Sequence, residues 1–306
     1  MKKYIKASPQ LKTFNYLQGR MSLTQEQMRL HDNLSKGYLG EKKFSEILDE
    51  HPTSHYIALF DLLLEVKNNL FQIDCLLIYQ KSMFLIEIKN FQGDFYIENE
   101  RWYVCSTGKE IKNPLSQIER STYLLRELLS SNGLTYQLNS HIVFVNEEFT
   151  LYNAPRKPSI ILPTQINSFM RRLNQIPSNI GSQQQKLAHH LMASHITHSP
   201  YEHLPEFEFT ELNKGVFCRC CRRKMEESQL RKMNCFHCGY SESIDSALLR
   251  NVIEFNLLFP DKKITTSKIH HWSDLPRTSR TIRRILKKYL VYKQNYRHSY
   301  FTFENN

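Results

Sequence analysis

Apolar residues recur at two different periods along this chain, and the changes of period mark its elements. After a polar segment to about residue 22, a Gln/Glu/Arg-rich helical stretch leads into SKGYLGEKKFSEILDE, where Phe44, Ile47 and Leu48 stand at helical spacing. Glu41 lies three residues before Phe44 and seven before Leu48, so it shares their inward face. The runs FQIDCLLIYQ (71–80) and MFLIEIKNF (83–91) are too short for helices and rich in Ile, Leu and Phe; with only Lys81 and Ser82 between them they predict a β-hairpin. FYIENERWYVC (95–105) predicts a third antiparallel strand, with Cys75 and Cys105 as core cysteines, and NPLSQIERSTYLLRELLSS a helix after Asn113-Pro114. SHIVFVN (140–146) and PSIILP (158–163) predict buried strands, and TQINSFMRRLNQI and SQQQKLAHHLMASHI predict helices. Helix, hairpin, strand, helix, strand is the order of a mixed α/β domain.

The pattern changes after residue 200. THSPYEHLPEFEFTELNKG has two prolines, alternating acids and no period, which predicts a linker over 201–213. Further on, IDSALLRNVIEFNLLF places Leu248, Val252, Phe255 and Leu258 on one helical face and stops at Pro260; TTSKIHHWSD predicts a second short helix. In SRTIRRILKKYL, Ile282, Ile285, Leu286 and Tyr289 are expected inward while Arg280, Arg283, Arg284, Lys287 and Lys288 face out. VYKQNYRHSYFTF alternates and turns around Gln294 and Asn295, as a hairpin does.

Charge sharpens the division. The 306 residues carry a formal net charge of +11. From Cys218 onward there are 18 Lys and Arg against 8 Asp and Glu, a net +10, whereas residues 1–217 hold 23 and 22. A basic C-terminal module behind a nearly neutral N-terminal one points to a polyanionic partner, nucleic acid first. No stretch approaches the roughly 20 apolar residues of a membrane span, and no apolar signal core follows the basic MKKYIKAS, so no membrane partner and a cytoplasmic location are expected.

Two carboxylates stand out inside the apolar hairpin. In LIEIKNF, Glu87 and Lys89 project from one face of a strand while Ile86 and Ile88 fill the other. Asp74 lies on the preceding strand, and a hairpin brings it near Glu87. Close carboxylates repel unless a proton or cation lies between them. A divalent metal resolves that conflict: Mg²⁺ takes one or two carboxylates and keeps several waters, which become acidic enough to attack a phosphodiester. Lys89 could then orient the attacking water and balance charge on the phosphorane.

The spacing Asp-x12-Glu-x-Lys on a hairpin resembles the PD-(D/E)xK nuclease signature. Together with GYLGEKKF, QIDCLLI and NPLSQIERS in the same order, it resembles the nuclease-related domain (NERD) family, a branch of the restriction-endonuclease-like fold, over residues 33–150. Gln72-Ile73 stands where the signature has its proline. The resemblance implies that Glu41 matches the acid of the first helix, Asp74 and Glu87 the Mg²⁺ (or Mn²⁺) pair, Lys89 the catalytic lysine, and Gln117 the polar residue of the helix after the sheet. Gln117 also continues the inward stripe of Ser121, Leu124 and Leu128. Restriction-like folds often pair to cut both strands, so the resemblance leaves a homodimer open, with no interface marked in the sequence.

Five of the seven cysteines fall between 218 and 238. Cys218-x2-Cys221 and Cys235-x2-Cys238, with Gly239 after the last, suit tetrahedral Zn²⁺ and resemble a zinc ribbon; Cys220 is expected to be a spare thiol and His237 to be exposed. Three helices and a hairpin resemble a winged helix-turn-helix, with Arg280, Arg283, Arg284, Lys287, Lys288 and the wing's Arg297 on nucleic acid. The expected organisation is a nuclease-related α/β domain over 1–200 with its mixed sheet flanked by helices, the linker, a zinc ribbon over 214–242 and a winged-helix-like region over 243–306. The expected function is metal-dependent hydrolysis of nucleic acid, DNA before RNA. The competing expectation is a non-catalytic DNA-binding protein that keeps the nuclease fold as a platform.

Overall fold

A computed structural model describes residues 2–3, 5–51, 56–156, 159–197, 199–200, 202–228, 232–294 and 299–304. The chain divides into two compact units, residues 1–7 with 32–201 and residues 8–31 with 202–306. It opens with β1 (Lys2–Lys3), α1 (Pro9–Leu17) and α2 (Gln25–Glu50). Helix α1 falls in the segment read as merely polar. Ser8 accepts the Leu11 N–H as its N-cap, Pro9 supplies the first-turn φ, and Leu11, Phe14 and Leu17 are buried. Three apolar residues among polar neighbours suffice because the stripe, and not the mean hydropathy, decides burial.

The first unit is built on β2 (Ile57–Val66), β3 (Asn69–Ile78), β4 (Ser82–Lys89), β5 (Gly93–Glu98), β6 (Arg101–Val104), β7 (Glu110–Ile111), α3 (Pro114–Ser131), β8 (Gln137–Phe144), β9 (Phe149–Tyr152), β10 (Ile160–Ile161), α4 (Ile166–Asn174) and α5 (Ser182–Ala193). The six-stranded sheet runs β1-β2-β3-β4-β8-β10, antiparallel through β2, β3 and β4 and parallel at β1, β8 and β10. One face packs Leu62, Leu76 and Leu85 against Leu124, Leu125 and Leu129 of α3 and Leu187 of α5. The other packs Phe60, Cys75, Ile86 and Val143 against Phe44 and Leu48 of α2 and Phe169 and Leu173 of α4. This is a mixed α/β fold with a helical layer on each face.

Two expectations change here. The predicted third strand over 95–105 is a hairpin of its own, β5 and β6, inside a separate four-stranded sheet β7-β6-β5-β9. Asn99 and Glu100 both have positive φ (49° and 63°), which makes the two-residue turn that folds the run back. The neighbour of β3 is instead β2, joined through Lys67 and Asn68, again both at positive φ. Cys75 is buried as expected, but Cys105 lies just past the end of β6 and is exposed.

The second unit contains β11 (Glu226–Glu227), β12 (Lys232–Asn234), β13 (Ser241–Ser243), α6 (Ile244–Leu258), α7 (Thr266–Ser273), α8 (Ser279–Tyr289), β14 (Val291–Lys293) and β15 (Tyr300–Thr302). Strands β11, β12 and β13 form a small antiparallel sheet; β14 and β15 pair antiparallel. Ser243, Thr265 and Thr278 each cap a helix through their hydroxyls. Leu248, Val252, Phe255, Ile282, Ile285 and Leu286 share one core with Leu17 and Trp272. Tyr289, expected inward, is 41% exposed: α8 ends there, and the extended Leu290 takes the buried place. In the segment expected to link the domains, Phe207 and Phe209 pack on Phe259 and Leu212 is buried.

Candidate active site and metal centre

In the first unit, the register Cys75↔Ile86 of the β3–β4 hairpin sets Asp74 beside Glu87. The Asp74 carboxylate accepts the backbone N–H of Ile88 at 2.8 Å. Glu87 is 3% exposed, and its Oε1 receives both Lys89 Nζ at 2.6 Å and Gln117 Nε2 at 2.5 Å. Lys89 Nζ also donates to Gln117 Oε1 at 3.2 Å, so the three side chains close a ring of contacts. Gln117 reaches this place because Asn113 caps α3 and Pro114 begins it, which aims the first turn of the helix at the end of β4. Burial pushes the Asp74 carboxyl up to about 7, and the negative charge of Glu87 adds to the shift while Lys89 and the Ile88 amide oppose it.

Glu41 sits half-buried on α2, next to Gly40, where that helix closely approaches Asn90. A Cβ on Gly40 would lie 2.7 Å from Cβ of Asn90, the residue after Lys89, and Asn90 Nδ2 donates to the Lys36 carbonyl at 3.0 Å. The absence of a side chain at Gly40 is therefore what lets α2 lie against the end of β4.

One acidic residue of this region escaped the sequence reading. Asp61 on β2 stands opposite Asp74, between the pairs Phe60↔Cys75 and Leu62↔Ile73. Its φ is 48°, its Oδ1 accepts from Gln72 Nε2 at 3.0 Å, and its charge helps raise Asp74. Face alternation slips by one residue here in both strands: Ile57 and Leu59 share a core with Leu62 and Leu64, and Phe71 and Ile73 share it with Leu76 and Ile78. A matched slip keeps the strands paired while turning two aspartates into the interruption. The signal in the sequence was a lone Asp inside IALFDLLLEV.

In the second unit, the sulfurs of Cys218, Cys221, Cys235 and Cys238 lie within 4.8 Å of one another. Cys218 and Cys238 are 3.6 Å apart and Cys221 and Cys235 3.4 Å apart, near the roughly 3.8 Å edge of a tetrahedron with Zn–S arms of about 2.3 Å. Each pair closes a tight loop: Arg222 N–H donates to the Cys218 carbonyl at 3.1 Å, and Gly239 N–H to the Cys235 carbonyl at 2.9 Å, with Gly239 at φ 74°. The donor set and its geometry fit zinc, and the cluster fits a zinc ribbon. Cys220 stands outside it with an exposed thiol, its backbone N–H directed at Cys218 Sγ at 3.4 Å, and His237 is exposed. Among the described residues no other group of three or more His, Cys, Asp or Glu converges in this way.

Arg280, Arg283, Arg284, Lys287 and Lys288 are all exposed on α8. They are not equivalent. Lys288 binds Asp245 at 3.1 Å, while Arg283 donates to the Tyr292 hydroxyl at 3.2 Å and Lys287 lies over the same ring. Arg297 lies outside the described residues.

Residues 36–145 match the model of the nuclease-related domain family, NERD. That span holds Glu41, Asp74, Glu87, Lys89 and Gln117. No curated protein matches the chain. Among solved structures, the crystal structure of protein VC1899 from Vibrio cholerae is similar at 12% identity and a TM-score of 0.26, over 55% of this chain and 51% of that one, so the chain spans about half its length. No helix among the described residues is long and apolar enough to cross a membrane.

Proposed function

We propose that the protein is a metal-dependent nuclease that hydrolyses phosphodiester bonds of nucleic acid, DNA before RNA, and holds its substrate through the basic C-terminal unit. The observation that carries this reading is the meeting of Asp74, Glu87, Lys89 and Gln117 on two strands and one helix within the nuclease-related match. Asp74 and Glu87 are the ligands for Mg²⁺ or Mn²⁺, with Glu41 contributing from α2. A cation held there supplies an acidified water and offsets charge on the scissile phosphate. Lys89, steered by Gln117, orients the attacking water and stabilises the negative charge that develops on the phosphorane oxygens. Burial and Glu87 raise the Asp74 carboxyl to about 7, and a cation beside it would favour its ionised form at neutral pH. Zinc in the four-cysteine site is structural, and the exposed Arg280 and Arg284 of α8 are phosphate contacts.

One observation favours a second reading, a non-catalytic DNA-binding protein with the nuclease fold as platform: Glu87 Oε1 is already satisfied by Lys89 and Gln117. Labelled single- and double-stranded DNA and RNA, incubated with Mg²⁺, Mn²⁺ or neither, separate the two. Cutting that needs the metal and vanishes in Lys89→Ala while binding persists supports the nuclease. Salt-sensitive binding without cutting above that variant, on every substrate, supports the platform.

A further inference from the structure

The tip of the second cysteine loop carries a largely exposed aromatic ring. Phe236, between Cys235 and Cys238, is 78% exposed, the most exposed large apolar residue among those described. No ring or cation contact involves it among the described residues, whereas Phe207, Phe209, Phe255 and Phe259 of the same unit all stack in its core. Leaving a phenylalanine in water forgoes the stabilisation that burying it would give. The loop that carries the ring is also held in place. It is closed by the Gly239 N–H to Cys235 carbonyl bond and tied at both ends into the thiol cluster.

The surroundings are cationic. Arg219 stands in the facing loop, whose Cys218 sulfur is 3.6 Å from that of Cys238, and its guanidinium lies 6.0 Å from the Tyr240 ring. Arg219, Arg223 and Lys232 are exposed, and the first two flank the cysteine loops directly. The acids close by are largely committed: Glu242 to Arg250 and Glu227 to Arg277. An exposed ring on one cysteine loop, with exposed arginines in and beside the other, suits a polyanion that also offers flat faces. Bases in a duplex present only their edges, because their faces are covered by neighbouring pairs. A base out of the stack presents its face, and an aromatic side chain can stack on it.

We propose that the zinc-binding loops form a platform for unpaired nucleotides, with Phe236 stacking on a base while Arg219 and Arg223 meet the adjoining phosphates. The inference rests on the nucleic-acid reading above and names its substrate class as one with single-stranded character. It divides the labour of the second unit: α8 offers cations that any phosphate backbone satisfies, and Phe236 adds a contact that a duplex cannot make.

The test measures binding of the zinc-loaded full chain, without Mg²⁺ or Mn²⁺, to labelled thymidine and uridine oligomers and to a blunt DNA duplex of equal length, by fluorescence anisotropy. Phe236→Ala is expected to weaken binding of at least one of the two oligomers by about tenfold, with duplex affinity unchanged and Phe236→Trp restoring the oligomer. Zinc content and melting temperature of Phe236→Ala should stay close to those of the parent, since the residue is 78% exposed. The inference is overturned if Phe236→Ala leaves both oligomers bound as tightly as before, or weakens duplex and oligomers alike. If the parent binds no nucleic acid at all, the nucleic-acid reading itself fails; binding that ignores Phe236 removes only the platform.

Discussion

Arg20 and Glu254 are 234 residues apart in the chain, and their Nε and Oε1 atoms are 2.5 Å apart in the core of the second unit. Neither side chain is more than 2% exposed. The remaining guanidinium nitrogens donate to the carbonyls of Asn213 at 2.7 Å and Gly215 at 3.0 Å, and the plane lies 3.6 Å from the Trp272 ring centroid. A fork of fixed N–H groups with a stackable face meets all these partners at once, which a lysine could not do. Residues 8–31 are thereby fastened within the unit formed by residues 202–306.

Breaking that pair leaves a buried charge alone. Glu254→Ala is expected to destabilise the second unit by about 3 to 5 kcal/mol, and the double variant Arg20→Met/Glu254→Leu by less, because it removes both charges and costs only the guanidinium bonds to the Asn213 and Gly215 carbonyls. Chemical denaturation of the three proteins followed through Trp272 fluorescence checks the order.

Gly40 and Gly37 make an internal contrast on α2. At Gly40 an added Cβ meets Asn90 Cβ at 2.7 Å, whereas at Gly37 it meets nothing within 4 Å. Gly40→Ala should cost about 1 to 3 kcal/mol through overpacking. Gly37→Ala should stabilise by up to about 1 kcal/mol, since alanine holds a helix better than glycine. Thermal unfolding of the two single variants should shift in opposite directions.

Two half-buried groups give opposite pH slopes to the first unit. The Asp74 carboxyl is raised from its ordinary 3.8 to about 7, so in the absence of divalent metal the native state binds the extra proton, and stability falls as pH rises from about 4 to about 7. Burial lowers His141 from 6.5 to about 4, with Arg172 assisting; its contribution is complete above 6.5 and is lost as pH falls toward 4. Asp74→Asn should therefore leave a profile that rises with pH over this window, and His141→Phe one that falls. Denaturation midpoints at a series of pH values without Mg²⁺ or Mn²⁺ read both slopes.

Metal removal should act on the second unit. Four thiolates gathered around one point gain their ordering free energy from the ion they hold. Cys235→Ser, or treatment with a strong chelator, is expected to abolish the cooperative unfolding of that unit, while Cys220→Ser keeps one zinc per chain. Elemental analysis beside circular dichroism distinguishes the cases.

The sequence by itself determined the parts whose physics is local. Cysteine spacing defined the four-thiol cluster, because two loops of fixed length leave few ways for the sulfurs to meet. The apolar runs around Asp74, Glu87 and Lys89 defined the hairpin, and the helical stripe through Gln117 carried that residue to Glu87, as the 2.5 Å contact records. Tertiary structure decided what depends on distant partners. Strand β2 was hidden because its slip at Asp61 breaks the alternation that marks a strand, and only pairing with β3 shows that the slip is matched. The run over 95–105 became a hairpin because Asn99 and Glu100 take positive φ, a preference far weaker in glutamate than in glycine. Helix α1 and Arg20 looked like a polar leader until Glu254, Trp272 and two carbonyls were brought around them, and a side chain's burial is set by those neighbours, which no local window contains.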